Sequence, residues 1–430
     1  MSLTEGKLPQ NSSKRVLIVS YYWPPSGGGG VQRWLKFAKL LPAEGWEPVV
    51  VTPSNPDVPV TDPSLLEEVS EQLEVWSFPV WEPTRVLQRL GLAGGTSRLG
   101  AERPASRSFL SSVVSWVRGN LFVPDARVGW VRPTTRKVLR QLKETPVDVV
   151  VTTGPPHSMH LIGLALQRAT GLPWIADFRD PWSTMDYLDD FGLTASSRRR
   201  LEAMEREVIQ TADRVLVTSP GALRELGVDS SKGVVIPNGW DRDDFPDALP
   251  EPSAHGAPVL GHFGALYGSR NPTALWPALA EIGWKLLLAG PVTEDVLRDI
   301  HEAGVDVTHL GDLPHRESVA RMHECQGLLV THNDSRSARS STPGKVFECL
   351  ATGRPVLAFG PRESDLQQRC LDEGVSFIAH GQKEEGDMVR TWLKEHQAPR
   401  ASSPHKGAAK LERRALTAEL GAVLNSVLPQ

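Results

Sequence analysis

The stretch STPGKVFECLATGRPVLAFG, residues 341–360, carries the clearest structural signal in this chain. It predicts a short helix followed by a buried strand. Thr342 is a favoured N-cap residue, Pro343 suits the first helical position, and Gly353 is a typical residue just past a helix end. The apolar run that follows, residues 355–359, has the composition of a strand buried on both faces.

The amino end of this helix is predicted to bind an anion. The open backbone N–H groups at Gly344 and Lys345, the positive end of the helix dipole and the Lys345 ammonium all suit a phosphate group. Glu348 lies one turn further on the same face, where a carboxylate accepts hydrogen bonds from ribose hydroxyls. The predicted ligand is a nucleoside diphosphate. A capped helix with a solvent-exposed Lys345 and Glu348 pair is the alternative interpretation.

Outward from this segment, predicted strands alternate with helical stretches, which favours parallel sheets and an α/β fold of two doubly wound, Rossmann-like domains. The strands predicted for the first half are residues 16–20, 49–52, 149–153, 174–176, 215–218 and 234–236. Those predicted for the second half are residues 259–263, 285–289, 328–331, 356–359 and 375–378. We expect domains over residues 14–245 and 256–400, and a last helix within 408–430.

Several strings resemble one branch of the GT-B glycosyltransferases of the family 4 type. They are PGKVFECLATGRPVLA (343–358), YYWPPSGGGGVQRW (21–34), TTGPPHSMHLIG (152–163), IADFRDPW (175–182), VIPNG (235–239) and GALYGSRNP (264–272). The resemblance implies two domains facing a cleft, with the last helix crossing back to the first domain. It implies a glycosyltransferase that uses a nucleotide sugar, usually with retention of configuration, and gives Glu348 the ribose of that donor.

A glycine-rich turn, residues 27–30, follows the first predicted strand. A dinucleotide site would need glycine where Arg33 stands and an acid where Thr52 and Pro53 stand, so a nicotinamide oxidoreductase is disfavoured. Glycines allow close backbone approach at a helix amino end. In the resembled family this turn lies near the reacting sugar, which assigns Gly28, Gly29 and Gly30 to donor binding. A flexible turn without a ligand is the alternative.

Polar residues follow two other predicted strands at their carboxyl ends, where open sheets bind ligands. We expect His157 to contact the acceptor or the transferred sugar through a ring N–H, and class it with the catalytic residues. The resemblance places Arg179 and Asp180 on the acceptor side of the cleft. A structural histidine and a structural Arg–Asp pair are the alternatives.

The sequence departs from the family pattern at two positions. Arg270 stands where the family has a phosphate-binding lysine, but Ala265 replaces the arginine of the same pattern. Ser340 stands eight residues before Glu348, where many relatives carry a second glutamate, and we assign it to donor binding. We expect Arg270 and Lys345 to be catalytic. The two departures leave a non-catalytic nucleotide-sugar-binding protein as an alternative function.

Composition excludes several other classes of protein function. The 430-residue chain has a formal net charge of −4, which argues against general nucleic-acid binding. Three cysteines without a close pair suggest neither a disulfide framework nor a zinc site. The sequence lacks a signal peptide and a membrane-spanning run, so we expect a cytoplasmic protein. Asp241 and Asp243 match a metal-binding D-x-D only superficially; we expect a solvated turn, no metal and no cofactor.

The chain is basic between residues 85 and 143, with twelve Lys and Arg against only Glu102 and Asp125. Within it, residues 109–124 are apolar enough to bury a helix face. We expect this region to contact an anionic membrane surface, with a lipid-linked or sugar acceptor in cell-surface polysaccharide or glycolipid assembly. A helical insertion packed on the first domain is the alternative.

Overall fold

The computed structural model describes residues 13–58, 60–82, 109–246, 250–252, 255–399 and 403–429. Within these residues the chain forms two parallel sheets with helices between the strands. The predicted α/β class, with two Rossmann-like domains, is confirmed. Each sheet reverses its strand order at one point, and such switch points are where open sheets bind ligands.

The first sheet has the strand order β3-β2-β1-β4-β5-β6-β7 in the described part of the chain, and its order reverses between β1 and β4. Its strands are β1 (Lys14–Val19), β2 (Trp46–Pro53), β3 (Glu74–Phe78), β4 (Val149–Gly154), β5 (Trp174–Phe178), β6 (Arg214–Val217) and β7 (Gly233–Val235). Its helices are α1 (Gly29–Leu40), α2 (Phe109–Leu121), α3 (Val128–Glu144), α4 (Ser158–Thr170), α5 (Ala195–Thr211) and α6 (Pro220–Leu226).

The second sheet has the order β10-β9-β8-β11-β12-β13, reversing between β8 and β11. Its strands are β8 (Val259–Phe263), β9 (Lys285–Ala289), β10 (Asp306–His309), β11 (Gly327–Thr331), β12 (Val356–Gly360) and β13 (Ser376–Ala379). The helices that follow are α7 (Leu275–Ile282), α8 (Glu294–Glu302), α9 (His315–His323), α10 (Lys345–Thr352), α11 (Asp365–Glu373), α12 (Glu385–Glu395) and α13 (Arg413–Ser426). None of the described helices is both long and apolar enough to span a bilayer.

Each sheet is buried on both faces, because successive side chains of a strand point to opposite sides. In β1, Leu17 and Val19 join one apolar cluster, whereas Val16 and Ile18 join the cluster on the other face. All four side chains are fully buried. This pattern explains why the central strands read as continuous apolar runs in the sequence.

The last helix, α13, packs on the first domain, as the resemblance implied. Leu416, Leu420 and Leu424 belong to the same buried cluster as Val16 and Ile18 of β1. The chain therefore crosses between the domains twice.

The two crossings lie side by side at Gly239 and Trp240. The Trp240 N–H donates to the Leu411 carbonyl oxygen at 3.1 Å, and the Arg413 N–H donates to the Trp240 carbonyl oxygen at 2.8 Å. A side chain on Gly239 would collide with the Leu411 carbonyl oxygen, so glycine is required there.

The sequence prediction missed two edge strands. β3 is only partly buried and β10 is largely exposed, with the sequence DVTH. Edge strands carry polar residues on their open side, so the apolar pattern that marks central strands is absent. The predicted helix at residues 109–124 is observed as α2, although Val113 and Trp116 are 39% and 45% exposed instead of buried.

Candidate active site

The candidate donor site lies at the switch point of the second sheet. β8 and β11 are neighbouring parallel strands, so their carboxyl ends meet at one edge. The turn after β8 carries Arg270, and the segment after β11 leads into helix α10 with Lys345 and Glu348. Residues separated by more than 70 positions are thus brought to the same edge of the sheet.

Helix α10 begins slightly later than predicted. Gly344, not Thr342, occupies the N-cap position, and the regular helix starts at Lys345. The reason is a tighter first turn: the Val346 N–H donates to the Pro343 carbonyl oxygen at 3.1 Å instead of to a residue four positions back. The predicted helix end at Gly353 is confirmed, since this residue has a left-handed φ of 70°.

Arg270 and Lys345 act on the same buried imidazole. Burial lowers the pKa of His262 to about 4, and the positive charges of Arg270 and Lys345 contribute to that decrease. His262 is therefore neutral at pH 7, and both cations lie close enough to influence its ring. The Arg270 guanidinium is held by Asn333, whose Oδ1 accepts from Nε at 2.6 Å, and lies 4.7 Å from the Tyr267 ring centroid.

Glu348 is the carboxylate of the candidate site, with 13% of its side chain exposed. Its Oε2 lies 3.1 Å from the Lys345 ammonium, and its Oε1 lies 3.3 Å from Nε2 of His315. Oε2 is buried and accepts no hydrogen bond from the described residues. Both carboxylate oxygens thus lie beside a side chain that carries N–H groups, and Oε2 is shielded from solvent.

His315 was not singled out from the sequence. Burial alone would lower its pKa, but its hydrogen bond with Asp244 and the charge of Glu348 raise that pKa overall. The string LPHRES offers only a histidine at a helix start, and nothing local to it indicates two carboxylate partners.

Ser340 is turned away from Glu348 and toward the first domain. Its hydroxyl donates to the Glu225 carboxylate of α6, and its carbonyl oxygen accepts from the Ser219 hydroxyl at 2.6 Å. The side chain is buried in this contact between the domains. Its assignment to donor binding stays a prediction that this placement does not support.

The glycine-rich turn of the first domain ends at α1. Gly28 is the N-cap residue, with a φ of 87° that favours glycine and no side chain to cap the helix. A Cβ added to Gly28 or Gly29 would meet no atom within 4 Å, whereas one on Gly30 would lie 3.0 Å from Nη1 of Arg179. Gly28 and Gly29 thus face open space at a helix amino end.

Arg179 binds the backbone of both neighbouring loops. Its Nε donates to the Gly154 carbonyl oxygen at 3.1 Å, Nη1 donates to that of Gly30 at 2.7 Å, and Nη2 donates to that of Pro155. The guanidinium therefore shapes the loops of the acceptor side, and direct acceptor contact stays a prediction. Burial raises the pKa of the adjacent Asp180, which the Arg179 charge opposes.

His157 is 3% exposed and stacks on Trp182, with ring centroids 5.2 Å apart and an interplanar angle of 5°. Burial and the nearby His160 and Arg179 lower its pKa well below the usual value, so the ring is neutral. Neither ring nitrogen has a hydrogen-bond partner among the described residues. Because the ring is covered, its predicted contact with a sugar is not available in this arrangement.

A buried ion pair fixes the position of α1. Arg33 and Asp177 are both fully buried, with Nη2 2.9 Å from Oδ1. Asp177 also accepts from Nε1 of Trp34 at 2.7 Å and from the Thr153 hydroxyl at 2.8 Å. Asp177 therefore joins α1 to the sheet.

The prediction of a solvated turn at Asp241 was wrong. Asp241 is 4% exposed, and its carboxylate forms a cluster with Asp244 and Glu68. The Lys36 ammonium lies 2.8 Å from Asp241 and Asp244 and 2.6 Å from Glu68, so a side-chain cation offsets part of the negative charge of this cluster. Asp243, by contrast, pairs with Lys39 near the surface.

The fold is that of the GT-B glycosyltransferases. HepE from Anabaena, solved in complex with UDP and glucose, is 15% identical, with a TM-score of 0.63 over 96% of this chain and 100% of that one. Sucrose-phosphate synthase from Thermosynechococcus elongatus is 15% identical, with a TM-score of 0.61 over 96% of this chain and 98% of that one. The apo lipopolysaccharide outer core galactosyltransferase WaaB is 13% identical, with a TM-score of 0.56 over 96% of this chain and 99% of that one.

Residues 28–239 match the profile of the glycosyl transferase 4-like domain, so the first domain belongs to that family. The predicted identity, a GT-B glycosyltransferase of the family 4 type, is confirmed. No curated protein sequence matches the chain.

Proposed function

We propose that this glycosyltransferase moves a sugar from a nucleoside diphosphate to an acceptor hydroxyl. The observation that carries the proposal is the convergence of Arg270, Lys345 and the α10 amino end on one edge of the second sheet, with Glu348 one turn away. Cations and a helix end suit a diphosphate, and a carboxylate with unused lone pairs suits ribose hydroxyls. HepE, which shares the fold, was solved with UDP and glucose.

In the proposed mechanism the bond from the anomeric carbon to the phosphate oxygen breaks with oxocarbenium character. Arg270, Lys345 and the helix end stabilise the negative charge that grows on the leaving diphosphate. The acceptor oxygen forms the new bond to the anomeric carbon, and its proton passes to a phosphate oxygen. Retention of configuration is proposed from the family resemblance. Gly28 and Gly29 give the donor close access to the backbone of α1.

Replacing Glu348 with alanine tests the donor site. Loss of hydrogen bonds to a charged group costs about 1.5 to 3 kcal/mol, so we expect affinity for the nucleoside diphosphate to fall roughly 10- to 100-fold. The probe is whichever of UDP, GDP and ADP raises the melting temperature most, and affinity is measured by calorimetry. Glu348→Gln, which keeps the size but not the charge, should lose less. Unchanged affinity in a folded Glu348→Ala protein would refute the donor-site assignment.

We also propose that transfer needs no divalent metal, because side-chain cations and a helix end supply the positive charge at the leaving group. Activity should survive EDTA with little change. The reference is the same reaction with added magnesium or manganese. Complete loss in EDTA with recovery on adding either ion would contradict this proposal.

The acceptor is proposed to be lipid-linked, in assembly of a cell-surface polysaccharide or glycolipid at the cytoplasmic face of a membrane. Support comes from the exposed face of α3, which presents Arg132, Arg136, Arg140 and Lys143 without an ion-pair partner among the described residues. Exposed apolar side chains lie before it, with Trp81 at 64% and Leu121 at 64% exposure. The basic residues Arg98, Arg103 and Arg107 fall outside the described residues.

Liposome co-sedimentation checks this surface. Each basic residue near anionic lipid contributes about 1 kcal/mol, so changing Arg132, Arg136 and Arg140 together to Gln should weaken vesicle binding by roughly 100-fold. Binding should also fall as salt rises to physiological strength. The matched control removes three exposed cations that lie outside α3. They are Arg298 and Lys394 in the second domain and Lys410 just before α13. Equal sedimentation with anionic and neutral vesicles would favour a soluble acceptor.

A further inference from the structure

His315 lies between two carboxylates that come from different parts of the chain. Its Nε2 is 3.2 Å from Oδ2 of Asp244, in the segment that joins the domains, and 3.3 Å from Oε1 of Glu348, in α10. The histidine side chain is 20% exposed, and both acids are more deeply buried. The same ring nitrogen thus hydrogen-bonds to Asp244, in the segment between the domains, and lies within ion-pair distance of Glu348, the candidate ribose ligand.

The contacts continue from Asp244 into the first domain. Its other oxygen, Oδ1, accepts from the Lys36 ammonium at 2.8 Å. Lys36 belongs to α1, about two turns beyond the glycine-rich amino end of that helix. Alternating charges thus connect Glu348 of the donor domain, through His315 and Asp244, to the helix that faces the donor from the other domain.

We propose that His315 is a positioning residue for Glu348 and joins that carboxylate to helix α1 through Asp244. This inference rests on the proposed function, in which Glu348 accepts hydrogen bonds from the ribose. His315 lies against Oε1 and Lys345 pairs with Oε2, so the carboxylate is held from both sides. Its link to Asp244 fixes the donor carboxylate relative to α1, so that ribose binding and the relative orientation of the two domains depend on each other.

Charge explains why a histidine is needed at this point. The charged groups that face its ring are Asp244 from the hinge and Glu348 and Lys345 from α10. Without His315, the ring between Glu348 and Asp244 would be gone, and Glu348 would keep Lys345 at 3.1 Å and the charge of the buried Arg413 as its cationic neighbours. Two carboxylates at short range repel, which would turn Glu348 out of its binding orientation.

A double-mutant cycle tests the proposal with the nucleoside diphosphate selected above as the probe. His315→Ala should weaken binding by about 10-fold, and Glu348→Ala by more. If His315 acts through Glu348, adding His315→Ala to Glu348→Ala should cause no further loss, because the group it positions is gone. The inference would be overturned if His315→Ala reduced affinity by the same factor in the wild-type and Glu348→Ala proteins. It would also be overturned if His315→Ala left the affinity of the wild-type protein unchanged.

Asp244→Asn tests the link to α1. It keeps the shape of the side chain and should weaken binding in the wild-type background but not in the His315→Ala background. If Asp244→Asn weakened binding equally in the wild-type and His315→Ala backgrounds, the proposed connection from Glu348 to α1 would be wrong. Failure of the proposed function gives a different result, since Glu348→Ala itself would then leave affinity unchanged.

Two further variants separate positioning from folding. His315→Gln retains an N–H donor and should recover part of the affinity that His315→Ala loses. Glu317→Ala removes an exposed charge from the same helix, away from Glu348, and should leave affinity unchanged. All variants are compared by thermal unfolding, and a His315→Gln protein that is folded but no better than His315→Ala would contradict the role of the N–H.

Discussion

Lys345→Ala should lower kcat by about 100- to 1,000-fold, the usual cost of removing one group that stabilises charge developing in a transition state. Lys345 is the first residue of α10, so the proposed site places its ammonium and the helix end at the same phosphate. Its contact strengthens as the diphosphate leaves, and the loss should therefore fall on kcat more than on KM. Steady-state kinetics with a nucleotide sugar and its acceptor would measure both.

The control for this variant is Lys285→Ala, an exposed lysine of the same domain that pairs with Asp306 at its surface. Its kinetics should match the wild type. Arg270→Ala should resemble Lys345→Ala, and Arg270→Lys should recover part of the rate because it keeps a charge. A rise in KM with kcat unchanged would mean that these cations bind the ground state and the transition state equally.

Asp177→Ala should destabilise the first domain by about 3 to 5 kcal/mol. Removing one partner of a buried pair leaves the other charge without compensation, and Arg33 is fully buried. The substitution also leaves Trp34 and Thr153 without their acceptor. Denaturant unfolding followed by tryptophan fluorescence would report this, because Trp34 lies in the affected core.

Asp189→Ala is the comparison for Asp177→Ala, since its side chain is 77% exposed and its pair with Arg198 lies at the surface. We expect a change within about 0.5 kcal/mol for this variant. Similar stabilities of the two variant proteins would show that the Arg33 and Asp177 pair does not hold α1 in place.

The sequence was most informative where local pattern decides structure. The central strands, the glycine-rich turn and the end of α10 at Gly353 follow from apolar runs and from residues that tolerate left-handed backbone. Lys345 was identified from the predicted helix amino end, and Arg270 from its place in the string GALYGSRNP, which resembles the family pattern. Each of these features can be predicted from a short stretch of neighbouring residues.

Contacts across the domains were not predictable in the same way. Ser340 meets Glu225 from a helix more than 100 residues earlier, and His315 meets Asp244 across the hinge. Asp241 was expected in a solvated turn, yet Lys36 of another element pairs with it. Such pairings depend on tertiary packing, which no local spacing encodes.

The return of α13 to the first domain also sets an order of assembly. Leu416, Leu420 and Leu424 are parts of the first core, but they follow the whole donor domain in the chain. During synthesis the donor domain can be complete while one face of the first sheet, already covered by α1, still lacks the part of its cover that α13 provides. Native pairing of that face therefore has to wait for contacts about 400 residues apart in sequence, such as Lys14 with Asn425. Contacts of such long range slow folding, and a chain stopped before α13 would expose the apolar face to aggregation.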